Sequence, residues 1–170
     1  MVAIRKSFEW HCAHRLECHK GLCNNVHGHS YKLEVVVARD DGHLEDDNEL
    51  TKGMVVDFSE LKRIVNTEIV DKFDHAFVYN EENKESKDIA LFLKEKINQK
   101  LLGLPFRTTA ENMVQWIVEE LNYYFNLHKC DYKCIKAQLY ETETSCAMFE
   151  SKYKATCRVK PKPQKKLSEV

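Results

Sequence analysis

The chain has 170 residues, of which 43% are hydrophobic and 31% charged, and a formal net charge of -1 at pH 7. This length suits a single hydrophobic core, the composition excludes a disordered chain, and the near-zero charge excludes general attraction to nucleic acid or an anionic membrane. No apolar run approaches the roughly 18 residues of a membrane span, and no signal peptide is recognisable, so we expect a cytoplasmic protein with a small-molecule partner. Its seven cysteines are scattered and are expected to be free thiols.

Two strands are predicted near the start of the chain. In the first, from Ile4 to His14, apolar and polar side chains alternate, and His14 shares the apolar face. In the second, from about His27 to Ala38, the odd-numbered positions form an apolar face that begins with His27 and His29. The apolar face of each strand therefore ends in histidine.

The middle of the chain predicts a loop, a short strand and two helices. The acidic stretch 40–50 has no apolar periodicity and reads as a solvated loop. The apolar run 53–58 predicts a short strand that leads into a helix with Asp57 or Ser59 as its N-cap. Apolar residues at helical spacing predict an amphipathic helix over Glu85–Leu101.

The last third of the chain predicts one helix and two strands. A capping-box pattern over Thr108–Glu111 opens the helix. The strands run over Cys134–Glu141 and Ser145–Tyr153. Because Glu141 ends an apolar stripe, its carboxylate needs either water or a hydrogen-bond donor. The basic segment 159–170 contains too few apolar residues to join a core and is expected to be disordered.

A metal site is predicted where the two N-terminal strands end. His27 and His29 are two residues apart on a strand, so their imidazoles project from one face, and His14 is the natural third ligand. Three histidines leave a coordination position open, which is typical of a catalytic zinc. Lone histidines at strand ends are usually ordinary polar residues, but a pair at strand spacing favours the metal. His11 has no such arrangement and is expected on the surface or beside the site.

Cys23 has three interpretations. It could complete a structural zinc knuckle with Cys18, His27 and His29, it could be a small buried residue, or it could be a nucleophile or general base. The knuckle is disfavoured because the cysteine spacing is irregular and the histidines belong to a long strand pattern. A base fits a thiolate that lies close to a metal without being its ligand.

Further polar residues could complete a catalytic site. The carboxylate of Asp74 could orient the ring of His75, although such a dipeptide is more often a turn or a helix end. Glu141 could accept two parallel hydrogen bonds from the edge of a guanine or pterin, or it could be an exposed glutamate. Thr108 and Thr109 most simply cap the helix, while a hydroxyl at a helix N-terminus also suits a polar or phosphorylated ligand.

Six segments of the chain resemble, in order, the 6-pyruvoyl-tetrahydropterin synthase superfamily. They are FEWHCAHRL, CNNVHGHSY, GMVVDFSELK, FDHAFVYN, TTAENMVQWI and YETETSCAMF. The resemblance implies an α+β tunnelling fold (T-fold), in which a four-stranded antiparallel sheet carries helices on one face and closes into an oligomeric β-barrel. It also implies a homohexamer, a dimer of trimers, with active sites between subunits. The domain would span 1–158, with a helical insertion at about 81–104 that the family pattern does not call for.

The resemblance also implies a zinc enzyme that acts on 7,8-dihydroneopterin triphosphate. His14, His27 and His29 match the zinc ligands, and Cys23 matches the thiol that removes a proton from the substrate side chain. The zinc would bind the two side-chain hydroxyls and stabilise the developing oxyanion, which acidifies the neighbouring C–H. A metal and a thiol are thus expected side by side.

Other residues of the family pattern match the proton path and the pterin anchor. Asp74 and His75 match the pair that tunes the thiol and relays protons, with His75 expected to serve a thiol on another subunit. Glu141 matches the residue that anchors the pterin ring. Three residues separate Cys23 from His27, a spacing that resembles the carboxy-forming members of queuosine biosynthesis.

Carboxy-forming members make 6-carboxy-5,6,7,8-tetrahydropterin and release acetaldehyde and triphosphate. The alternative enzyme is a pyruvoyl-forming member of the tetrahydrobiopterin type, which eliminates triphosphate and keeps the carbon chain. From another class, the alternative is a non-enzymatic structural zinc module. A pterin-binding relative without activity is the remaining possibility.

Overall fold

A computed structural model describes residues 2–39, 44 and 50–151. Most of the predicted acidic loop, the predicted tail 159–170 and the end of the last predicted strand lie outside the described residues. Within the described part, no helix combines the length and apolar composition needed to cross a membrane. The described cysteines are free thiols, as predicted.

Six strands form one mixed sheet in an α+β fold. They are β1 (Ala3–His14), β2 (His27–Arg39), β3 (Phe77–Asn80), β4 (Leu101–Leu104), β5 (Tyr132–Thr142) and β6 (Ser145–Glu150). Their order in the sheet is β4-β3-β1-β2-β5-β6. Strands β1, β2, β5 and β6 pair antiparallel, as predicted, whereas β3 and β4 add a parallel edge. The prediction of a four-stranded sheet is therefore two strands short, and the oligomeric barrel stays a prediction.

Helical segments connect the strands. They are a 3-10 helix (Leu22–Asn24), α1 (Phe58–Val65), a π-helical turn (Asn66–Val70), α2 (Asp71–Phe73), α3 (Lys84–Ile97) and α4 (Ala110–Leu127). Asp57 is the N-cap of α1, because its side chain accepts from the backbone N–H groups of Ser59 and Glu60. The strand predicted over 53–58 is absent, since residues 53–57 form a turn and a bend and Phe58 begins helix α1. Val55 is buried there without belonging to the sheet.

The ends of the two long helices differ from the prediction. Helix α3 stops at Ile97 because Asn98 adopts a left-handed conformation with a φ of 53°, and the next residues enter β4. The predicted helix end at Leu101 is therefore wrong. At the start of α4 the N-cap is Thr109, whose side chain accepts from the N–H of Asn112 at 3.3 Å. The predicted capping box of Thr108 and Glu111 is therefore wrong, because the cap lies one residue later and the third helical position is Asn112.

The hydrophobic core lies between one face of the sheet and helices α1 and α4. Its largest fully buried side chains include Trp10, Tyr31, Phe73, Leu61 and Ile117. The β1–β2 register places Trp10 opposite Tyr31 and His14 opposite His27. The apolar stripes of the two strands are therefore aligned, and their histidines meet at one end of the sheet.

Candidate active site

The three histidines that were predicted to share a cation lie together. His14 faces His27 across the β1–β2 pair, and His29 follows two residues later on the same face of β2. The ring centroids are 4.6 Å apart for His14 and His27, 5.3 Å for His14 and His29, and 4.9 Å for His27 and His29. One nitrogen of each ring lies within 4.8 Å of those of the other two. These residues form the histidine cluster.

Backbone carbonyls orient two rings of the histidine cluster. His14 Nδ1 lies 2.9 Å from the carbonyl oxygen of Thr108, and His27 Nδ1 lies 2.8 Å from that of Asn25. A carbonyl oxygen only accepts, so each Nδ1 carries the hydrogen and each Nε2 keeps its lone pair. Metal-binding histidines are commonly held in this way. The cluster therefore presents ring nitrogens that are suited to bind a cation.

Burial keeps His14 neutral. The ring is only 1% exposed, and its burial lowers the pKa to about 4, against the opposing effect of the Thr108 carbonyl. The neighbouring His27 and His29 make smaller contributions to this decrease in the pKa. A metal binds the neutral imidazole, so His14 needs no deprotonation near neutral pH. Three imidazoles without a fourth protein ligand suit zinc or a similar divalent ion with an open position.

Tyr31 links the histidine cluster to Glu141. Its hydroxyl donates to Glu141 Oε1 at 3.2 Å and lies 3.4 Å from His14 Nε2. The Glu141 carboxylate is 3.8 Å from the same nitrogen and keeps 29% of its side chain exposed. Burial and the Glu141 charge raise the pKa of Tyr31, so its hydroxyl stays protonated as a donor. Tyr31 was not predicted as a site residue, although it continues the alternation of His27 and His29.

Cys23 lies in the connection between β1 and β2, on the 3-10 helix Leu22–Asn24. Its thiol is half-buried and free, and its carbonyl oxygen accepts from the backbone N–H of Leu16 at 2.8 Å. Within residues 2–39, 44 and 50–151 the only metal-binding group found is the histidine cluster, which contains neither Cys23 nor Cys18. The described structure thus does not form the alternative zinc knuckle.

Asp74 and His75 form a pair after α2. Asp74 Oδ2 lies 2.9 Å from His75 Nδ1, while Asp74 Oδ1 accepts from the backbone N–H of His11 at 3.1 Å. The hydrogen bond from His11 and then His75 lower the pKa of Asp74, which stays ionised. His75 has a φ of 59°, in the left-handed region, and its side chain is 76% exposed. The carboxylate therefore orients an imidazole that is open to a partner.

The Asp74–His75 pair lies beside the sheet face opposite the histidine cluster. His11 alternates with the inward-facing residues of β1, so its ring projects outward, where it lies 6.3 Å from the His75 ring and 3.0 Å from Ser30 Oγ. These three side chains border a cavity of about 550 Å³. His11 was expected on the surface or beside the site, and its side chain is exposed next to the Asp74–His75 pair. His75 and the side chains of the histidine cluster therefore project from different faces of the sheet, although His29 also lines this cavity.

Thr108 and Thr109, which precede helix α4, have different surroundings. Thr108 is completely buried, and its hydroxyl donates to the Arg15 carbonyl at 3.2 Å. Thr109 caps α4. Substrate contact by either residue stays a prediction, and each hydroxyl already has a structural partner.

Comparison with known proteins identifies the family. The family model described as 6-pyruvoyl tetrahydropterin synthase matches residues 3–152. The chain belongs to the 6-pyruvoyl tetrahydropterin synthase family. This confirms the resemblance on which the sequence prediction rested, and with it the prediction of an enzyme of this family.

Relatives within the 6-pyruvoyl tetrahydropterin synthase family carry a more specific name. The chain is 40% identical over 150 residues to the 6-carboxy-5,6,7,8-tetrahydropterin synthase of Haemophilus influenzae, which covers 88% of this chain and 99% of the relative. It is 30% identical over 121 residues to the protein of the same name from Rickettsia bellii, covering 71% and 80%. Both similarities extend over most of each protein.

Two solved structures share the fold of this chain. The enzyme of that name from Caenorhabditis elegans superimposes with a TM-score of 0.60 at 23% identity, covering 88% of this chain and 95% of that one. An uncharacterized protein from Wolinella succinogenes gives a TM-score of 0.65 at 20% identity, covering 88% and 97%. At these identities the likeness concerns the fold alone.

Proposed function

We propose that the protein is a zinc-dependent lyase that converts 7,8-dihydroneopterin triphosphate to 6-carboxy-5,6,7,8-tetrahydropterin and releases acetaldehyde and triphosphate. The observation that carries the proposal is the histidine cluster, with Cys23 in the connection between the two strands that supply it. The name of the Haemophilus influenzae relative, which aligns over 99% of its length, supports the same reaction.

The histidine cluster would hold the zinc through His14, His27 and His29. When bound, the ion would supply Lewis-acid stabilisation of negative charge on the substrate side chain. Cys23 would remove a proton from the carbon chain of the substrate, a role that requires it to remain outside the coordination sphere. The absence of Cys23 from the metal-binding group of the described residues is consistent with this role.

Glu141 would anchor the pterin. Its carboxylate could accept two parallel hydrogen bonds from the amino group and the ring N–H of a pterin edge. Tyr31 donates to one of the carboxylate oxygens and lies beside His14, so it would fix the anchor relative to the histidine cluster. The pterin ring and the reacting side chain would thereby be held at a defined separation.

Asp74 and His75 would act on a neighbouring subunit. Their position beside the opposite sheet face and the exposure of the His75 ring support this arrangement. The proposed assembly is a homohexamer whose active sites combine residues of different subunits, with His75 relaying the proton that Cys23 removes. Such a site is incomplete in one chain.

The carboxy-forming reaction is favoured over the pyruvoyl-forming alternative by two features. Three residues separate Cys23 from His27, the spacing expected of the carboxy-forming group. Relatives that are named for the carboxy product align with most of the chain, at up to 40% identity. The two reactions differ in whether carbon is lost from the substrate side chain.

Product analysis tests the proposal. The purified protein, loaded with zinc, is incubated with 7,8-dihydroneopterin triphosphate, and the pterin product and acetaldehyde are quantified by chromatography and mass spectrometry. We expect 6-carboxy-5,6,7,8-tetrahydropterin and acetaldehyde in equal amounts. A pyruvoyl product without acetaldehyde would assign the chain to the alternative reaction, and no turnover would contradict both.

A further inference from the structure

Arg15 is a buried cation that directly follows His14. It is only 5% exposed. Its Nε donates to the backbone carbonyl of Asn24 at 3.0 Å, and its Nη2 donates to Asn24 Oδ1 at 2.7 Å. Both bonds are charge-assisted, and the planar guanidinium fixes their relative direction. Arg15 therefore hydrogen-bonds to both the backbone and the side chain of Asn24, the residue that follows Cys23.

The connection that carries Cys23 has little apolar packing of its own. The 3-10 helix Leu22–Asn24 contains no buried residue, and Leu22 and Val26 are 85% and 50% exposed. The contacts that hold this connection against the rest of the chain are mainly hydrogen bonds. The bonds from Arg15 to Asn24 and the bond from the Leu16 N–H to the Cys23 carbonyl tie it to the chain that follows β1.

The connection is also tied to the histidine cluster at its other end. The carbonyl of Asn25 accepts from His27 Nδ1 at 2.8 Å. Asn24 thus links the turn to Arg15, the residue after His14. Asn25 links it to the ring of His27. These attachments restrict the position of Cys23 relative to the cluster from both sides.

Helix α3 provides a third partner for the guanidinium. Arg15 Nη1 lies 3.1 Å from Glu85 Oε1 in an ion pair that lacks hydrogen-bond geometry. Glu85 is in the first turn of α3, the helix within the segment that exceeds the expected family pattern. The Glu85 side chain is 67% exposed, so water weakens this pair and Asn24 remains the principal partner.

We propose that Arg15 is a positioning residue that holds the Cys23 thiol at its working distance from the histidine cluster, with Glu85 of α3 bracing its guanidinium. The inference rests on the proposed role of Cys23 as the base. It concerns the placement of the thiol and not the identity of the product. Loss of the hydrogen bonds between Arg15 and Asn24 is expected to impair the proton transfer while metal and substrate still bind.

Asn24 offers the sharpest test, because its side chain is exposed and its replacement should not unfold the protein. In Asn24→Ala the acceptor for Arg15 Nη2 is lost, whereas Asn24→Asp keeps an oxygen in its place. We expect kcat of Asn24→Ala to fall about tenfold with KM changed less than about twofold, since small displacements of a reacting group are costly. Asn24→Asp is expected to retain kcat within about threefold of the unmodified protein.

Alkylation of Cys23 measures its placement without reference to turnover. The rate of reaction with iodoacetamide is followed for the Cys23 peptide by mass spectrometry, in the zinc-loaded protein. We expect Asn24→Ala to raise the rate about threefold or more, because a released turn exposes the half-buried thiol more often. Zinc content is expected to stay unchanged, whereas the melting temperature should fall slightly because Arg15 Nη2 loses its acceptor. An unchanged alkylation rate and kcat in Asn24→Ala would overturn the inference, as would equal losses in Asn24→Asp.

Arg15→Lys tests the guanidinium itself. Lysine keeps the charge but cannot donate in parallel to the two oxygens of Asn24, so kcat should fall about 10- to 100-fold with zinc retained. Arg63→Lys is the matched control, because Arg63 makes a comparable forked contact with Glu60 on the exposed face of α1. It should leave kcat and Cys23 alkylation unchanged. If Arg15→Lys fails to fold, the Asn24 variants decide.

Cys23→Ala distinguishes failure of the proposed base from failure of the positioning role of Arg15. If this variant keeps full turnover, the proposed base is wrong, and the positioning inference falls with it. If Cys23→Ala loses turnover while the Asn24 and Arg15 variants behave like the unmodified protein, the base stands and only the positioning role is overturned.

Discussion

The buried residue Thr108 supports the histidine cluster through two hydrogen bonds. Its carbonyl accepts from His14 Nδ1, and its buried hydroxyl donates to the carbonyl of Arg15. One residue thereby orients a proposed metal ligand and fixes the backbone just after it. Partners of this kind commonly set the affinity of a metal site as much as the geometry of its ligands.

Replacing Thr108 by Val tests this support. The change conserves shape but leaves the Arg15 carbonyl without its donor, so we expect a loss of about 1–3 kcal/mol in the free energy of unfolding. Zinc affinity should fall by about two- to tenfold, because residue 108 keeps the carbonyl that orients His14 but loses the hydroxyl that fixes that segment against Arg15. Chemical denaturation and competition with a chelator measure the two effects. In the control Thr109→Val, loss of the N-cap should cost about 1 kcal/mol with zinc affinity unchanged. Equal zinc affinities in the two variants would refute the role of Thr108.

The histidine cluster could be predicted because alternation along a strand is a local property. His27 and His29 share a face by spacing alone, and His14 ends the facing stripe. Tyr31 could have been predicted from the same alternation, since it is the next residue on that face of the strand. Arg15 could not have been, because it follows the strand, and no periodicity joins it either to Asn24 in the turn or to Glu85, which is 70 positions away.

At the element scale, Asn122 joins α4 to β5. Its amide nitrogen donates to the Cys134 carbonyl at 3.0 Å, and its amide oxygen accepts from the Cys134 N–H at 2.9 Å. The register between β2 and β5 shifts close to this point, between Val36 and Val37, which face Lys136 and Cys134. A helix side chain thus satisfies both backbone groups of a residue at an irregularity of the sheet.

Asn122→Ala should therefore destabilise the fold. Two half-buried backbone groups of Cys134 would lose their partners, which is expected to cost about 2 kcal/mol in the free energy of unfolding. Thermal or urea unfolding measures the loss. Asn126→Ala, at an exposed position of the same helix, should change stability by less than about 0.5 kcal/mol. Equal stability of the two variants would contradict the bridging role of Asn122.

Long elements were predictable and short ones were not. Strands β1 and β2 and helix α4 repeat their pattern over 12, 13 and 18 residues. Strands β3 and β4 have four residues each, too few to display a period, and they form a parallel edge that needs distant partners. The apolar run 53–58 shows the converse error, because apolar residues signal burial and do not by themselves signal strand pairing.

At the scale of the whole molecule, the two faces of the sheet carry different parts of the proposed chemistry. The side chains of the histidine cluster project to the core side, whereas His75, which is paired with Asp74, borders the outward cavity that His29 also lines. Within the described residues of one chain, the side chains of the proposed set therefore lie on two faces of the sheet. The sequence alone could not show this division, because Asp74 and His75 follow a short helical segment whose position depends on the whole fold.

Mixed assemblies test whether sites are shared between subunits. Cys23→Ala and His75→Ala are expected to be inactive separately, since each removes one part of the proton path. When the two are co-expressed and assemble at random, about a quarter of the sites receive an intact Cys23 and an intact His75 from different chains, so activity should return to about that fraction. Purification through two different affinity tags isolates the mixed oligomers. Mixed oligomers without activity would contradict a shared site.

The proposed function requires that the histidine cluster holds zinc while Cys23, outside its coordination, acts as the base. The direct measurement is the zinc content of purified Cys23→Ala, by elemental analysis, together with its turnover of 7,8-dihydroneopterin triphosphate. We expect zinc to be retained at the stoichiometry of the unmodified protein, with turnover reduced about 100- to 10,000-fold. Loss of zinc with Cys23, or undiminished turnover in its absence, would contradict the claim.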